Sequence, residues 1–144
     1  MRIQDILRTK GTQVMTVGPD QTVLAAIRVL SEHRIGSLVV RRGDDILGII
    51  TERDVLNLVA REPHRLAETL VEEAMTTDLV VGVPEDDLDY VMGIMTENRI
   101  RHLPIIVDGQ LHGMVSIGDV VNAVRRSVES ENRYLKDYIH GVAG

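Results

Sequence analysis

The chain is written twice. When its 144 residues are shifted by 65 positions, residues 19–61 fall on 84–126 without a gap, and eleven of the 43 positions are identical. The identical pairs are Pro19/Pro84, Glu32/Glu97, Arg34/Arg99, Ile35/Ile100, Leu38/Leu103, Gly48/Gly113, Asp54/Asp119, Val55/Val120, Asn57/Asn122, Val59/Val124 and Arg61/Arg126. The stretch "GIITERD" (48–54) returns as "GMVSIGD" (113–119), with Gly, a hydroxyl and an Asp kept in step. A duplication on this scale restricts the fold to two similar units that share surface, because each repeat is one small assembly of elements. Upstream, "IQDIL" (3–7) matches "VEEAM" (71–75) at a shift of 68, which puts three extra residues into the first copy within "RTKGTQ" (8–13). The repeat divides the chain into a first copy at 1–68, a second at 69–127 and a tail at 128–144.

Each copy carries the same order of patterns. Short β-rich runs at Val14–Val17 and Leu79–Val83 end near a Pro. Val23, Ala26, Ile27 and Leu30 follow helical spacing, as do Leu88, Val91, Met92 and Met95. Asp20 and Glu85 stand near the starts of these helices, where negative charge meets the helix dipole favourably. Strands are expected at Ser37–Val40 and Leu103–Val107, then turns at "RGDD" and "DGQ", then strands at Ile46–Ile50 and Leu111–Val115. Thr51 and Ser116 then open second helices. The pattern β-α-β-β-α, twice, predicts a mixed α/β (α+β) fold. Taken alone, Thr51-x-x-Asp54 reads as a helix capping box, and Gly48 and Gly113 as marks of a bulge or of close backbone approach.

Composition narrows the function. The formal charge is −6, and there is no Cys, Trp or Phe. Net charge is +1 over residues 1–70 and −7 over 71–144. That balance opposes a nucleic-acid polymer as partner, since phosphate backbones require clustered cations. Three Tyr leave no aromatic platform for stacking bases. No apolar run approaches the roughly 18–20 residues of a membrane span, and the first residues have no signal-peptide pattern. No membrane association is expected, and the cytoplasm is the default compartment.

With the duplicated Gly-h-h-(Thr/Ser)-x-x-Asp stretch (h, apolar), "RIRHLPI" at 99–105 and "PEDDLDYVMGIM" at 84–95, the sequence resembles a tandem pair of cystathionine-β-synthase (CBS) domains, a Bateman module, over roughly residues 1–127. The resemblance implies two units packed about a pseudo-twofold axis with two equivalent clefts. Such clefts typically take adenosine-containing ligands: AMP first, with ADP, ATP, NAD or S-adenosylmethionine as alternatives. It also implies that Asp54 and Asp119 hold ribose hydroxyls, with Thr51 and Ser116 at the sugar or phosphate. A carboxylate can accept from two vicinal hydroxyls at once, and a helix start offers free N–H groups to phosphate. Capping and ribose binding are therefore compatible.

Carried over residue by residue, the resemblance implies one cleft with Ile49, Thr51, Arg53 and Asp54 from copy one and Val80, Arg101 and His102 from copy two. The other has Met114, Ser116, Gly118 and Asp119 from copy two, with Met15, Gly36 and Ser37 from copy one. Met15, Ile49, Val80 and Met114 are the candidate adenine walls, or plain core residues. The repeat alignment matches Arg53 with Gly118, Arg101 with Gly36 and His102 with Ser37. The expectation is a first cleft that is basic and phosphate-binding and a second without cations from these positions. Val55 stands where related pairs often carry Tyr. In the loop 60–70, Arg61, His64 and Arg65 are either substitute phosphate contacts or solvent-facing.

The tail "SVESENRYLKDYIHG" (127–141) reads as an amphipathic helix capped by Ser130 and stopped by Gly141, with Leu135, Tyr138 and Ile139 on one face. The resemblance adds a homodimer through helices. "DDLD" (86–89) reads as a solvated face rather than a metal site. Without a nucleophile elbow, a phosphate loop or a metal triad, a non-catalytic nucleotide sensor acting on a separate, unidentified protein is expected. The alternative is a ligand-free interaction scaffold.

Overall fold

The computed structural model describes residues 1–139, with the side chains of Tyr134 and 136–139 left aside. The elements run α1 (Ile3–Lys10), β1 (Thr16–Val17), α2 (Val23–His33), β2 (Ser37–Arg42), β3 (Asp45–Thr51), α3 (Glu52–Arg61), α4 (Val71–Ala74), α5 (Leu88–Glu97), β4 (His102–Val107), β5 (Gln110–Ser116) and α6 (Ile117–Ile139). The fold is mixed α/β. Copy one holds a three-stranded sheet, β1-β2-β3, and copy two a β4-β5 hairpin. The expected strand at Leu79–Val83 shrinks to one parallel bridge, Gly82 to Ile105. Gly82 is pressed so close to Leu103 that a Cβ there would lie 2.9 Å from its Cδ2.

The backbone repeats as the letters do. β2 and β3 pair antiparallel with a bulge at Val40/Arg41, and β4 and β5 with one at Ile105/Ile106. The Asp108-Gly109 turn has positive φ at both residues, 50° and 75°, as a two-residue hairpin turn requires. Helices α2 and α5 begin on the caps Thr22 and Asp87, closer to the helix than Asp20 and Glu85. Asp86 accepts from the Val83 amide at 2.9 Å, so two acids of the "DDLD" run serve backbone amides.

Copy two's core uses the chain's first helix. Ile3, Ile6 and Leu7 of α1 are buried with Leu88, Val91, Met95, Leu103 and Val115. Val71 of α4 is buried with Val23, Leu38 and Ile50 of copy one. Each copy is thus completed by the segment that precedes the other. Matching backbone bonds fix the exchange: Ile3 N to Asp86 O at 3.0 Å and Leu88 N to Met1 O at 3.1 Å, against Val71 N to Gln21 O and Val23 N to Thr69 O, both 2.8 Å. Fully burying an aliphatic side chain stabilises by about 1.5–3 kcal/mol, so α1 is a structural part of copy two. The Ile3, Ile6, Leu7 and Lys10 spacing is helical, and α1 runs on into what the repeat alignment leaves as a loop.

The tail corrects one expectation. Residues 128–139 continue α6 without a break, so Ser130 lies inside a helix of 23 residues and caps nothing. Leu135 is exposed. Gly141 and the side chains of Tyr138 and Ile139 lie outside the described residues.

Candidate functional site

Both Gly-to-Asp stretches fold as a strand that turns directly into a helix. Thr51 caps α3: its Oγ1 accepts from the Asp54 amide at 3.3 Å, and Asp54 Oδ2 accepts from the Thr51 amide at 2.9 Å. Ser116 and Asp119 repeat the box, with Asp119 Oδ2 accepting from the Ser116 amide at 2.9 Å and Ser116 Oγ from the Asp119 amide at 3.1 Å. The capping reading of these residues is therefore present in both copies. Gly48 and Gly113 sit beside the bulges and also permit close approach. A Cβ at Gly48 would lie 2.6 Å from the Thr76 carbonyl oxygen, and one at Gly113 2.9 Å from Leu7 Cδ2.

Each carboxylate is half-buried and faces the segment that arrives from beyond its own copy. Thr76 Oγ1 donates to Asp54 Oδ1 at 3.0 Å, while the Thr76 backbone pairs with Ile49 in both directions, at 2.9 and 2.8 Å. At the equivalent place in copy two, Lys10 Nζ donates to Asp119 Oδ2 at 2.6 Å and to the Met114 carbonyl at 2.9 Å. Burial pushes the Asp119 carboxyl up. The Lys10 hydrogen bond, the Ser116 amide and the Lys10 charge outweigh it and hold the group below its ordinary value.

Lys10 changes the expected charge contrast. It lies in the segment 8–13, which holds three extra residues, so the repeat alignment gives it no fixed counterpart. Lys10, delivered by the longer α1, adds a cation beside Asp119 from outside the positions that the repeat alignment compared. Arg53 and Arg101, expected in the first cleft, are exposed, and neither forms a salt bridge among the described residues. His102 is half-buried and packs on Gly36, where a Cβ would lie 3.1 Å from its Cε1 and Nε2 and 2.7 Å from Glu52 Oε1. Burial pushes its imidazole down. Glu52 and Asp119 raise it, and Lys10 and Arg101 lower it further. His102 thus stands near charged groups of both Gly-to-Asp stretches, Glu52 and Asp119. Ser37 is buried, opposite Thr51 in the sheet, as His102 stands opposite Ser116.

Of the expected adenine walls, Ile49 is buried and Met15 is exposed. Met114 is half-buried, and Val80 packs partly buried against the copy-two core. Gly118 is exposed beside Ser116. In the loop, Arg65 pairs with Glu62 and Glu68, and Arg61 bonds the Asn57 carbonyl of its own helix. His64 is exposed. A groove of about 150 Å³ opens beside Lys10 and Asp119, between α1 and α6. Among the described residues, no group of three His, Asp or Glu is arranged to hold a metal ion. No helix there is long and apolar enough to cross a membrane.

Comparison with known proteins agrees with this architecture. The CBS domain family model matches residues 3–61 and 71–126. The chain is 37% identical over 148 aligned positions to the mitochondrial CBS domain-containing protein CBSX3 of Arabidopsis thaliana, covering 96% of this chain and 72% of that protein. It is similar to the crystal structure of the CBS-domain protein ATU1752 from Agrobacterium tumefaciens, with TM-score 0.83 and 40% identity, over 85% of this chain and 98% of that one. The CBS domain pair of protein MJ0100, crystallised with 5′-methylthioadenosine and S-adenosyl-L-methionine, shares the fold at TM-score 0.78 and 22% identity, over 88% of this chain and 98% of that one. With its two copies matched in order and their cores exchanged across the repeat, the chain belongs to the CBS domain family as a tandem CBS pair.

Proposed function

We propose that this CBS pair is a non-catalytic sensor of adenosine-containing ligands that regulates a separate protein in the cytoplasm. One observation carries the reading: at both helix starts the half-buried Asp carboxylate meets a side chain of the other copy at the seam. A carboxylate has about four acceptor positions. Among the described residues, Asp119 Oδ1 accepts no hydrogen bond, and Asp54 Oδ1 accepts only from the Thr76 hydroxyl. Each therefore has capacity for ribose hydroxyls while it caps its helix. The two compounds bound to the MJ0100 pair are both adenosine derivatives, which supports the same class here. AMP is the first candidate, with ADP, ATP, NAD and S-adenosylmethionine behind it.

In this reading Thr51 and Ser116 join Asp54 and Asp119 at the ribose. Ile49, Met114, Val80 and Met15 border the base, with Gly36 and Ser37 in the second cleft. Arg53, Arg101 and His102 serve the phosphate side of the first. A ligand bridging the copies biases their packing by its difference in affinity for two arrangements. A thermal-shift panel of the five ligands is the test. A ligand at about 100 times its Kd stabilises by about 2.7 kcal/mol, a rise of roughly 5–10 °C for a chain of this size.

The exposed apolar residues Leu56 and Val59 of α3 and Val121, Val128 and Leu135 of α6 support a homodimer through these helices. They also favour a second reading, a scaffold that binds no small molecule. No shift with any ligand, together with a stable dimer, selects the scaffold.

A further inference from the structure

We infer that Lys10 is a displaceable counter-ion that makes the Asp119 cleft select anionic adenosine ligands over neutral ones; the inference rests on the nucleotide reading above. Lys10 reaches this place because α1 has eight residues where α4 has four. Lys10 lies in the segment 8–13, where the first copy carries three extra residues. The ammonium bridges Asp119 Oδ2 at 2.6 Å and the Met114 carbonyl at 2.9 Å, both within the Gly-to-Asp stretch proposed to hold the nucleoside.

The ion pair stands at the mouth of the cleft, with side-chain exposures of 39% and 27%, so Lys10 can swing without disturbing the core. Beside it the groove between α1 and α6 is lined by Thr9, Lys10, Asn122 and Arg126, two of them cationic. Its acid on the α1 side, Asp5, is already engaged by the Arg2 amide at 2.9 Å and by Arg8 at 3.4 Å. At about 150 Å³ the groove is half the roughly 300 Å³ of the smallest usual ligand pockets, which suits a phosphate-sized group and not a whole nucleotide.

The selection follows from ion exchange. Oδ1 of Asp119 is open but Oδ2 is held by Lys10, so a neutral nucleoside whose vicinal hydroxyls take both oxygens displaces Lys10 and offers it no partner in return. A nucleotide supplies a phosphate, to which Lys10 can move as a point charge. The anionic ligand frees the carboxylate that its own ribose then uses.

The test is calorimetric titration of AMP and adenosine into the full chain carrying Asp54→Asn, alone and with Lys10→Met or Lys10→Arg, and into wild type. The expected result is a preference for AMP of about tenfold or more with Lys10 or Arg present. With Met, adenosine binds more tightly, AMP more weakly, and the preference falls to near one. A purely structural role for Lys10 moves both ligands together and leaves the ratio unchanged, which overturns the inference alone. Failure of wild type to bind either ligand overturns the nucleotide reading and this inference with it. Melting curves verify that each variant is folded.

Discussion

Gly48 and Thr76 meet so closely that a Cβ on the glycine would stand 2.6 Å from the threonine carbonyl oxygen. That carbonyl also accepts the Ile49 amide at 2.9 Å, so it cannot retreat without breaking the bridge that ties α4's end to β3. At Gly113 the neighbour is Leu7 Cδ2 at 2.9 Å, the far end of a flexible side chain. The same substitution should therefore differ between the copies. Gly48→Ala is expected to destabilise by about 3 kcal/mol and Gly113→Ala by about 1 kcal/mol, read from urea denaturation midpoints.

The exchange of α1 into copy two gives a second prediction. Ile3 is fully buried there. Ile3→Ala should cost about 2–5 kcal/mol, although it lies at the chain's edge, where substitutions are ordinarily tolerated. Hydrogen exchange should show the loss of protection in β4, β5 and the first turns of α6 rather than in β2 and β3.

Arg34 and Arg99 occupy equivalent left-handed positions, with φ of 53° and 54°. Each follows a helix, and Ile35 N and Ile100 N then bond back to Leu30 O and Met95 O. A side chain in this conformation costs roughly 1–2 kcal/mol, part of which glycine loses again as chain entropy. Arg34→Gly and Arg99→Gly should each stabilise by about 0.5 kcal/mol and should add when combined, as thermal unfolding will measure.

Acid should weaken the seam. Burial holds the native His102 below its ordinary value, so near pH 6 the unfolded chain binds more protons at this site. The stability it contributes is present above about pH 6.5 and is lost as pH falls through the lowered native value. The denaturation midpoint of the wild type should drop more steeply between pH 7 and pH 5 than that of His102→Gln. Asp119 has the same sign in a lower window: its contribution holds above about pH 4 and fades as pH falls through its lowered native value. Lys10→Met should reduce that lower-pH dependence.

Much of this was legible in the letters because the two copies are alike. Thr51 and Ser116 cap, Gly48 and Gly113 lie at bulges, and helices α2 and α5 fall on their apolar spacing, since these features depend on residues within a few positions of one another. Contacts across the chain were not legible. Leu7 fills the space at Gly113, and Lys10 reaches Asp119 across 109 residues. No local periodicity encodes such a pairing, and a residue of the segment 8–13 has no fixed repeat counterpart to signal its role. The signal for α1 itself was present, in the helical spacing of Ile3, Ile6, Leu7 and Lys10. The strand expected at Leu79–Val83 failed because β propensity measures fit to a half-buried surface, and this segment offers the sheet a single bridge.

The central claim is that the seam carboxylates hold a ribose diol, and calorimetric comparison of AMP with 2′,3′-dideoxy-AMP on the wild-type chain tests it most directly. The account predicts that loss of both hydroxyls weakens binding by about tenfold or more, with Asp54→Asn and Asp119→Asn each erasing the difference at its own cleft. Equal affinity for the two nucleotides would contradict it.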